Sequence, residues 1–380
     1  MTDAAAMIDR AGLDGLIEVL RTDGFRVIGP TVRDDAIVLA EIESGAQLPA
    51  GWGVDSAPGR YRLRRRADAA VFGHSAGAQS WKQFLHPPRQ TLWAGDGRAQ
   101  FTEPAEEPIR CAFLGVRACD LAGIATLAGV LGDGAHASPR FRRRQEGLFI
   151  VAAGCTEPGG VCFCASMGTG PAPGPGYDLS LTERIDEAGH RFLVDVGSAE
   201  GTRVLAQVAS RLADGSEVAE ARAAVAEAAT RMGRTMPVGD IRTLLADSRE
   251  SSRWEEVASR CLTCGNCTMV CPTCFCTTVE DRTDLADGQV ERAERWASCF
   301  ELDFSYLHGG SVRVSGVSRY RQWITHKLST WHDQFGVSGC VGCGRCIAWC
   351  PTGIDITAEV TALADERDAI DGQAGSRGHG

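Results

Sequence analysis

"CLTCGNCTMVCP" (residues 261–272) and "CVGCGRCIAWCP" (residues 340–351) share one cysteine spacing, and that spacing decides the second half of the fold. Cys261, Cys264, Cys267 and Cys271 precede Pro272, and Cys340, Cys343, Cys346 and Cys350 precede Pro351, each set reading C-x-x-C-x-x-C-x-x-x-C-P. Two-residue gaps let three thiolates converge on three iron corners of one cubane, while the fourth, set before a helix-breaking proline, points to the opposite cluster. By this crossing rule one 4Fe-4S cluster takes Cys261, Cys264, Cys267 and Cys350, and a second takes Cys340, Cys343, Cys346 and Cys271. Structural zinc also uses two-residue gaps, but as two pairs rather than a triple and a fourth before proline. Gly265, Gly339, Gly342 and Gly344 suit clusters, because glycine lets backbone N–H groups approach the inorganic sulfurs.

The insert from Pro272 to Gly339 is too long for a compact ferredoxin whose repeats nearly abut, and SRYRQWITHKLSTW (318–331) within it reads as helix. This resembles the alpha-helical ferredoxins found in succinate dehydrogenase and heterodisulfide reductase. Upstream, DIRTLLADSRESSRWEEVASRC (240–261) has helical apolar spacing and delivers Cys261 at a helix end.

The first half reads differently. Met7, Ile8, Leu13, Leu16, Ile17 and Leu20 form a helical stripe, and FRVIGP and AIVLAEI are apolar runs separated by the turn-like Arg33-Asp34-Asp35. IRCAFLGV (109–116) and GLFIVAAG (147–154) are strands flanking the helix-like LAGIATLAGVL. GTGPAPGPGY (168–177) is a connector or a lid. The expected architecture is α+β: a mixed α/β domain over 1–199, a helical connector over 200–239, a helical ferredoxin-like dicluster domain over 240–365, and a disordered tail over 366–380.

Eight cysteines remain of the 16. Cys119 follows the strand end GVRACD, Cys155 ends the next strand, and VCFC places Cys162 and Cys164 in the adjoining Gly-rich loop. Parallel strand ends share one edge of a sheet, so these four are candidates for a third 4Fe-4S cluster, with buried structural thiols the alternative. Cys111, inside its strand, reads as a core thiol. Cys274, Cys276 and Cys299 supply only three thiolates; packing around the dicluster module is the favoured reading, and a cluster completed by a ligand such as His308 the other. Arg313, Arg319, Arg321, His326 and Lys327 either stabilise a reduced cluster or form a solvated or partner-facing surface, and Arg62–Arg66 is a solvated strand or partner contact.

The formal charge of -10 argues against a nucleic-acid surface. No 18-residue apolar run and no signal peptide can be read, so 16 cysteines imply a reducing, cytoplasmic setting. No G-x-G-x-x-G, P-loop, G-x-S-x-G or H-E-x-x-H motif is present, so the expected activity is electron transfer between other subunits.

These motifs together resemble a known family: the iron–sulfur beta subunit of sulfhydrogenase-type, NAD(P)-linked nickel–iron hydrogenases, which also takes in the electron-transfer subunit of anaerobic sulfite reductase. The likeness lies in FRVIGP, FLGVRACDLAGI, GCTEPGGVCFCASMGTGP, CLTCGNCTMVCPTCFCTTVED, WASCFELDF with the following HGG, and the arginine-rich run into HKL. It implies a relay between the hydrogenase small and large subunits and a flavin-containing, NAD(P)-binding subunit, or between the corresponding sulfite reductase subunits. A metal-stapled, non-redox scaffold or sensor is the reading from another class.

Overall fold

The computed structural model describes residues 5–96, 100–105, 110–286 and 288–377. An eight-stranded sheet organises the first half, in the order Arg211–Leu212, Ala6–Asp9, Gly189–Val196, Leu179–Asp186, Leu148–Ala153, Cys111–Arg117, Arg26–Arg33, Ala36–Glu41. Its four central strands, Arg26–Arg33, Cys111–Arg117, Leu148–Ala153 and Leu179–Asp186, pair in parallel, and antiparallel strands finish both edges. Asp34 and Asp35 close the turn between FRVIGP and AIVLAEI with φ of 48° and 55°. Both residues tolerate the left-handed region, so the short turn forms without glycine.

Alternation along the strands separates two cores. Ala112, Leu114, Phe149 and Val151 face Leu13, Leu16, Ile17 and Leu20 of the helix Arg10–Thr22, whose N-terminus Asp9 caps through the Gly12 amide. Phe113 and Ile150 face Leu121, Ile124 and Leu127 of the helix Ala118–Leu127. The bulge at Gly115, φ +85°, shifts the register so that Val116 joins Phe113 on its face. That shift aims the last residues of the strand, and then Cys119, out of the sheet's carboxyl edge.

Three expectations need correction. The stretch 200–239 is not a separate connector: Arg211–Leu212 extends the sheet, and the helix Gly215–Thr230 packs on the strands Leu179–Asp186 and Gly189–Val196. The second half is not purely helical either. Thr277–Thr283 and Val290–Trp296 form a hairpin that joins Arg89–Gly95 and Phe101–Thr102 of the first half in a four-stranded sheet. Last, the helix that starts at Ile356 continues to Arg377 where a disordered tail was expected from 366; Ala, Glu, Arg and Gln in ADERDAIDGQA sustain it despite Gly372. Residues 378–380 lie outside the described residues.

A second core holds the cysteine motifs. Trp254, Val257, Phe300, Tyr320, Trp323, Ile324, Leu328, Ile347, Ile356 and Val360 pack together, and Val161 and Phe163 of the first half insert into the same cluster. No described helix is long and apolar enough to cross a membrane.

Candidate metal centres

The two motifs repeat one backbone form. Gly265 and Gly344 sit in the left-handed region at φ +77° and +75°, each starting a four-residue helix, Asn266–Met269 and Arg345–Ala348. These two short helices pack against each other.

Cys261, Cys264, Cys267, Cys346 and Cys350 line one cavity, walled by Phe300, Tyr320, Trp323 and Ile354. Burial raises the Cys261 thiol, with smaller contributions from Cys350 and Cys264; Cys267 is raised well above its usual range by burial and by Cys299, Cys261, Cys350 and Cys264. Backbone amides already point at two of these sulfurs: Thr263 N donates to Cys261 Sγ at 3.4 Å and Ile354 N to Cys350 Sγ at 3.3 Å.

Cys340, Cys343 and Cys346 lie within the influence of Cys271, and Cys346 also shares the first cavity with Cys350. Burial pushes Cys340 up to about 12, and Cys346 rises well above the ordinary range. Cys271 moves the other way, lowered by a hydrogen bond from Cys274 and by the ammonium of Lys327, whose Nζ lies 3.3 Å from Cys271 Sγ.

The first-half cysteines also converge. Cys119, Cys155, Cys162 and Cys164 line one enclosed cavity together with Ser75, Arg117, Pro171, Met232 and Cys343. Burial pushes Cys162 and Cys164 up to about 12, each raised further by neighbouring cysteines. The loop carrying them is clamped on the second motif: Phe163 N donates to Gly342 O at 2.9 Å and Thr169 Oγ1 to Val341 O at 2.7 Å. A Cβ on Gly342 would lie 2.6 Å from the Cys164 backbone, and one on Gly344 2.3 Å from Val161 O. The glycines expected to admit backbone toward sulfurs therefore admit a neighbouring loop. GTGPAPGPGY runs beside the same cavity, with Pro171 in its lining and Pro171 O accepting from Cys155 N.

A buried ion pair, Arg345 Nη1 to Asp120 Oδ1 at 2.8 Å, joins the helix Ala118–Leu127 to the second motif, and Arg345 Nε also donates to Gly77 O. Sequence reasoning missed this pair, and it missed the docking of Phe163.

Of the remaining cysteines, Cys111 lies at the opposite end of its strand from Cys119, packed beside the second core of the sheet. Cys299 is pushed up to about 12 by burial and by Cys276. His308 is an exposed turn residue between Tyr306–Leu307 and Gly310–Ser311. Arg319 donates to Phe300 O at 2.6 Å and acts on Cys261, whereas His326 bonds Gln334 and stacks near Trp331. In the run 62–66 Arg62, Arg64 and Arg65 are exposed, whereas Arg66 is drawn inward onto Asp68 and Gly73 O; the neighbouring Tyr61 stacks 5.1 Å from Trp349 beside Cys350.

The donor chemistry fits polynuclear iron–sulfur groups. Among the described residues no three or more His, Cys, Asp or Glu side chains converge tightly enough for a single metal ion. Zinc needs four donors about 2.3 Å from one centre, whereas these thiols ring a cavity, as a cubane requires. Buried thiols that resist ionisation become good ligands once a cluster's positive iron displaces their protons.

Comparison with known proteins agrees with this chemistry. The model of the 4Fe-4S dicluster domain family matches residues 260–354. Sulfhydrogenase 2 subunit beta of Pyrococcus furiosus is 32% identical over 259 residues, covering 67% of this chain and 74% of that protein. No solved structure matches the chain. The chain is an iron–sulfur protein that belongs to the family of sulfhydrogenase beta subunits.

Proposed function

We propose that this chain relays electrons between a nickel–iron hydrogenase core and a flavin-containing, NAD(P)-binding subunit, through three 4Fe-4S clusters. Cys261, Cys264, Cys267 and Cys350 hold the first, Cys340, Cys343, Cys346 and Cys271 the second, and Cys119, Cys155, Cys162 and Cys164 the third. Each cluster, when bound, supplies a one-electron redox site.

The observation that carries this reading is that the three cysteine groups share walls. Cys346 of the second group lines the cavity of the first, and Cys343 of the second lines the cavity of the third. Protein groups around this chain of sites position and insulate it. Arg345 and Arg117 bring buried positive charge to the second and third groups, and Phe300, Tyr320 and Trp323 wall one side of the first. The chain itself makes and breaks no substrate bond in this reading.

Anaerobic purification with whatever subunits accompany the chain tests it. About twelve irons with matching acid-labile sulfide per chain are expected, and about eight would remove the third cluster. Hydrogen should bleach the iron–sulfur absorbance of the intact complex and NAD(P)⁺ restore it. Bleaching only by another donor with reoxidation by sulfite would assign the chain to a sulfite reductase instead, and zinc in place of iron would end the relay reading.

A further inference from the structure

The two cysteine motifs end alike. Cys271-Pro272-Thr273 and Cys350-Pro351-Thr352 occupy matching places, and in each the threonine hydroxyl reaches back to the cysteine: Thr273 Oγ1 lies 3.1 Å from Cys271 Sγ and Thr352 Oγ1 3.4 Å from Cys350 Sγ. Beyond that the two sulfurs differ. Cys350 Sγ accepts from the neutral amide of Ile354 at 3.3 Å, whereas Cys271 Sγ lies 3.3 Å from the ammonium of Lys327. One local sequence thus meets a dipole at one motif and a full charge at the other.

Lys327 reaches that place from the insert between the motifs. It lies in a five-residue π-turn, His326–Thr330, between the helices Gly316–Thr325 and Trp331–Phe335. Such a turn widens the helix locally, and here Lys327, Leu328 and Ser329 are all buried. Lys327 is 3% exposed, and its three N–H groups have three acceptors: Gly339 O at 2.9 Å, Thr273 Oγ1 at 3.2 Å and Cys271 Sγ. Its own carbonyl accepts from Gly339 N at 2.8 Å. Lys327 therefore straps the last cysteine of the first motif to the residue that precedes Cys340, the first cysteine of the second.

Among the described residues the ammonium has no carboxylate partner, and a buried charge without a counter-ion is costly. Of its three acceptors only the Cys271 sulfur can carry negative charge. A charge-assisted hydrogen bond to a ligand sulfur draws electron density from the iron, and a fixed cation beside the cluster favours the form holding one more electron. Cys350, with only an amide and a hydroxyl on its sulfur, has no such charge among its hydrogen-bond partners.

We propose that Lys327 sets the potential of the cluster that takes Cys271, raising its midpoint while leaving that of the Cys350 cluster alone, so that two motifs of one spacing hold their electrons unequally. The step concerned is a one-electron reduction: the cluster gains the electron, an external donor such as dithionite loses it, no bond is made or broken, and the added negative charge is met by the ammonium already in place. The proposal rests on the relay reading only in taking Cys271 as a cluster ligand, and it holds whichever motif supplies the other three thiolates.

Redox titration of the anaerobically purified holoprotein, followed by paramagnetic resonance, tests this in wild type, K327M and K327R, with the signal of the Cys271 cluster identified as the one lost in C271S. K327M should keep the wild-type iron content and lower the midpoint of that signal alone; at the potential that half-reduces the wild-type cluster, its ratio of reduced to oxidised form should fall about tenfold or more. K327R restores the charge and should recover part of the shift. An unmoved potential in K327M with iron intact overturns the proposal and leaves the relay standing, as does a K327R shifted as far as K327M. Zinc in place of iron in the wild type overturns both. Should K327M fail to fold, the wild type itself decides: Lys82 and Lys327 are the two lysines of the sequence, and Lys82 Nζ donates to a carbonyl, Cys274 O, rather than to a sulfur. With isotopically labelled lysine nitrogen, one reduced four-iron signal should carry a nitrogen coupling, and its absence overturns the proposal.

Discussion

The two cysteine motifs have the same spacing, the same left-handed glycine and the same four-residue helix, yet their surroundings are opposite. The first lies toward solvent: Cys264 is exposed, and Leu262 is 63% exposed. At Gly265 the space a Cβ would take is bounded by the side chain of Ser298. The second is enclosed: Cys340 is buried, Arg345 is 3% exposed, and Gly342 and Gly344 lie against the backbone of the first-half loop. One local sequence thus specifies the ligand geometry, and what packs on it decides whether the site faces a partner or the interior. In a relay the exposed motif is the natural terminus and the enclosed motif the junction.

The sharpest way to break this comparison is to exchange the fourth ligands. Cys350→Ser should remove the cluster of Cys261, Cys264 and Cys267, a loss of about four irons, and leave the enclosed one. Cys271→Ser should do the reverse. Resonance spectra of the two variants, each losing the signal the other retains, check the crossing; loss of the cluster belonging to the mutated motif would refute it.

The buried Arg345–Asp120 pair has no counterpart at the exposed motif, where Asn266 stands in the place of Arg345. Asp120→Ala leaves a guanidinium buried and uncompensated, which typically costs about 3–5 kcal/mol. Chemical denaturation should report that loss, and iron analysis should show the second and third groups affected before the first. Asn266→Ala, whose side chain reaches Trp349 O at 3.4 Å from an exposed position, should cost under about 1 kcal/mol.

Glycine substitutions sharpen the same contrast. Gly265→Ala and Gly344→Ala both place a side chain at positive φ, each costing about 1–2 kcal/mol in backbone strain. At Gly265 the new Cβ meets the Ser298 side chain, Oγ at 2.9 Å and Cβ at 3.1 Å; at Gly344 it meets the backbone carbonyl of Val161 at 2.3 Å, a closer and more rigid contact. Gly344→Ala should therefore add at least ~2 kcal/mol to the shared strain and detach the Cys162–Cys164 loop. Selective loss of iron from the third group is the readout.

What was legible in the sequence divides along the same line. Ligand spacing within each motif and the placement of Cys119 and Cys155 at adjacent parallel strand ends are local or topological, so periodicity and spacing exposed them. The hairpin Thr277–Trp296 was hidden because TTVEDRT lacks apolar alternation. Cross-strand pairs such as Arg292–Asp281, 2.6 Å apart, and Arg295–Glu280 hold it, and such pairing is invisible until the strands are opposite one another. The docking of Phe163 on Gly342 joins residues 179 positions apart, and nothing local announces it.

A further effect concerns pH and again separates the two motifs. His74 is buried beside Arg117 and Arg66, with Nδ1 on Ser75 O, and burial followed by the charge of Arg117 lowers its pKa to about 3. Its segment supports the enclosed side: Ser75 lines the third cavity and Gly77 O accepts from Arg345. With the folded value depressed below the unfolded 6.5, the unfolded chain binds the proton first. The contribution of neutral His74 is therefore whole above about pH 6.5 and is lost progressively as pH falls toward 3. At about 1.4 kcal/mol per pKa unit the loss between pH 7 and pH 5 is on the order of 2 kcal/mol. His74→Gln, which cannot gain the charge, should flatten the acid limb of a stability-against-pH curve over that range. Because the segment holds Arg345, the acid-sensitive step in the wild type should release the third and second groups while the exposed motif, which His74 does not touch, keeps its cluster.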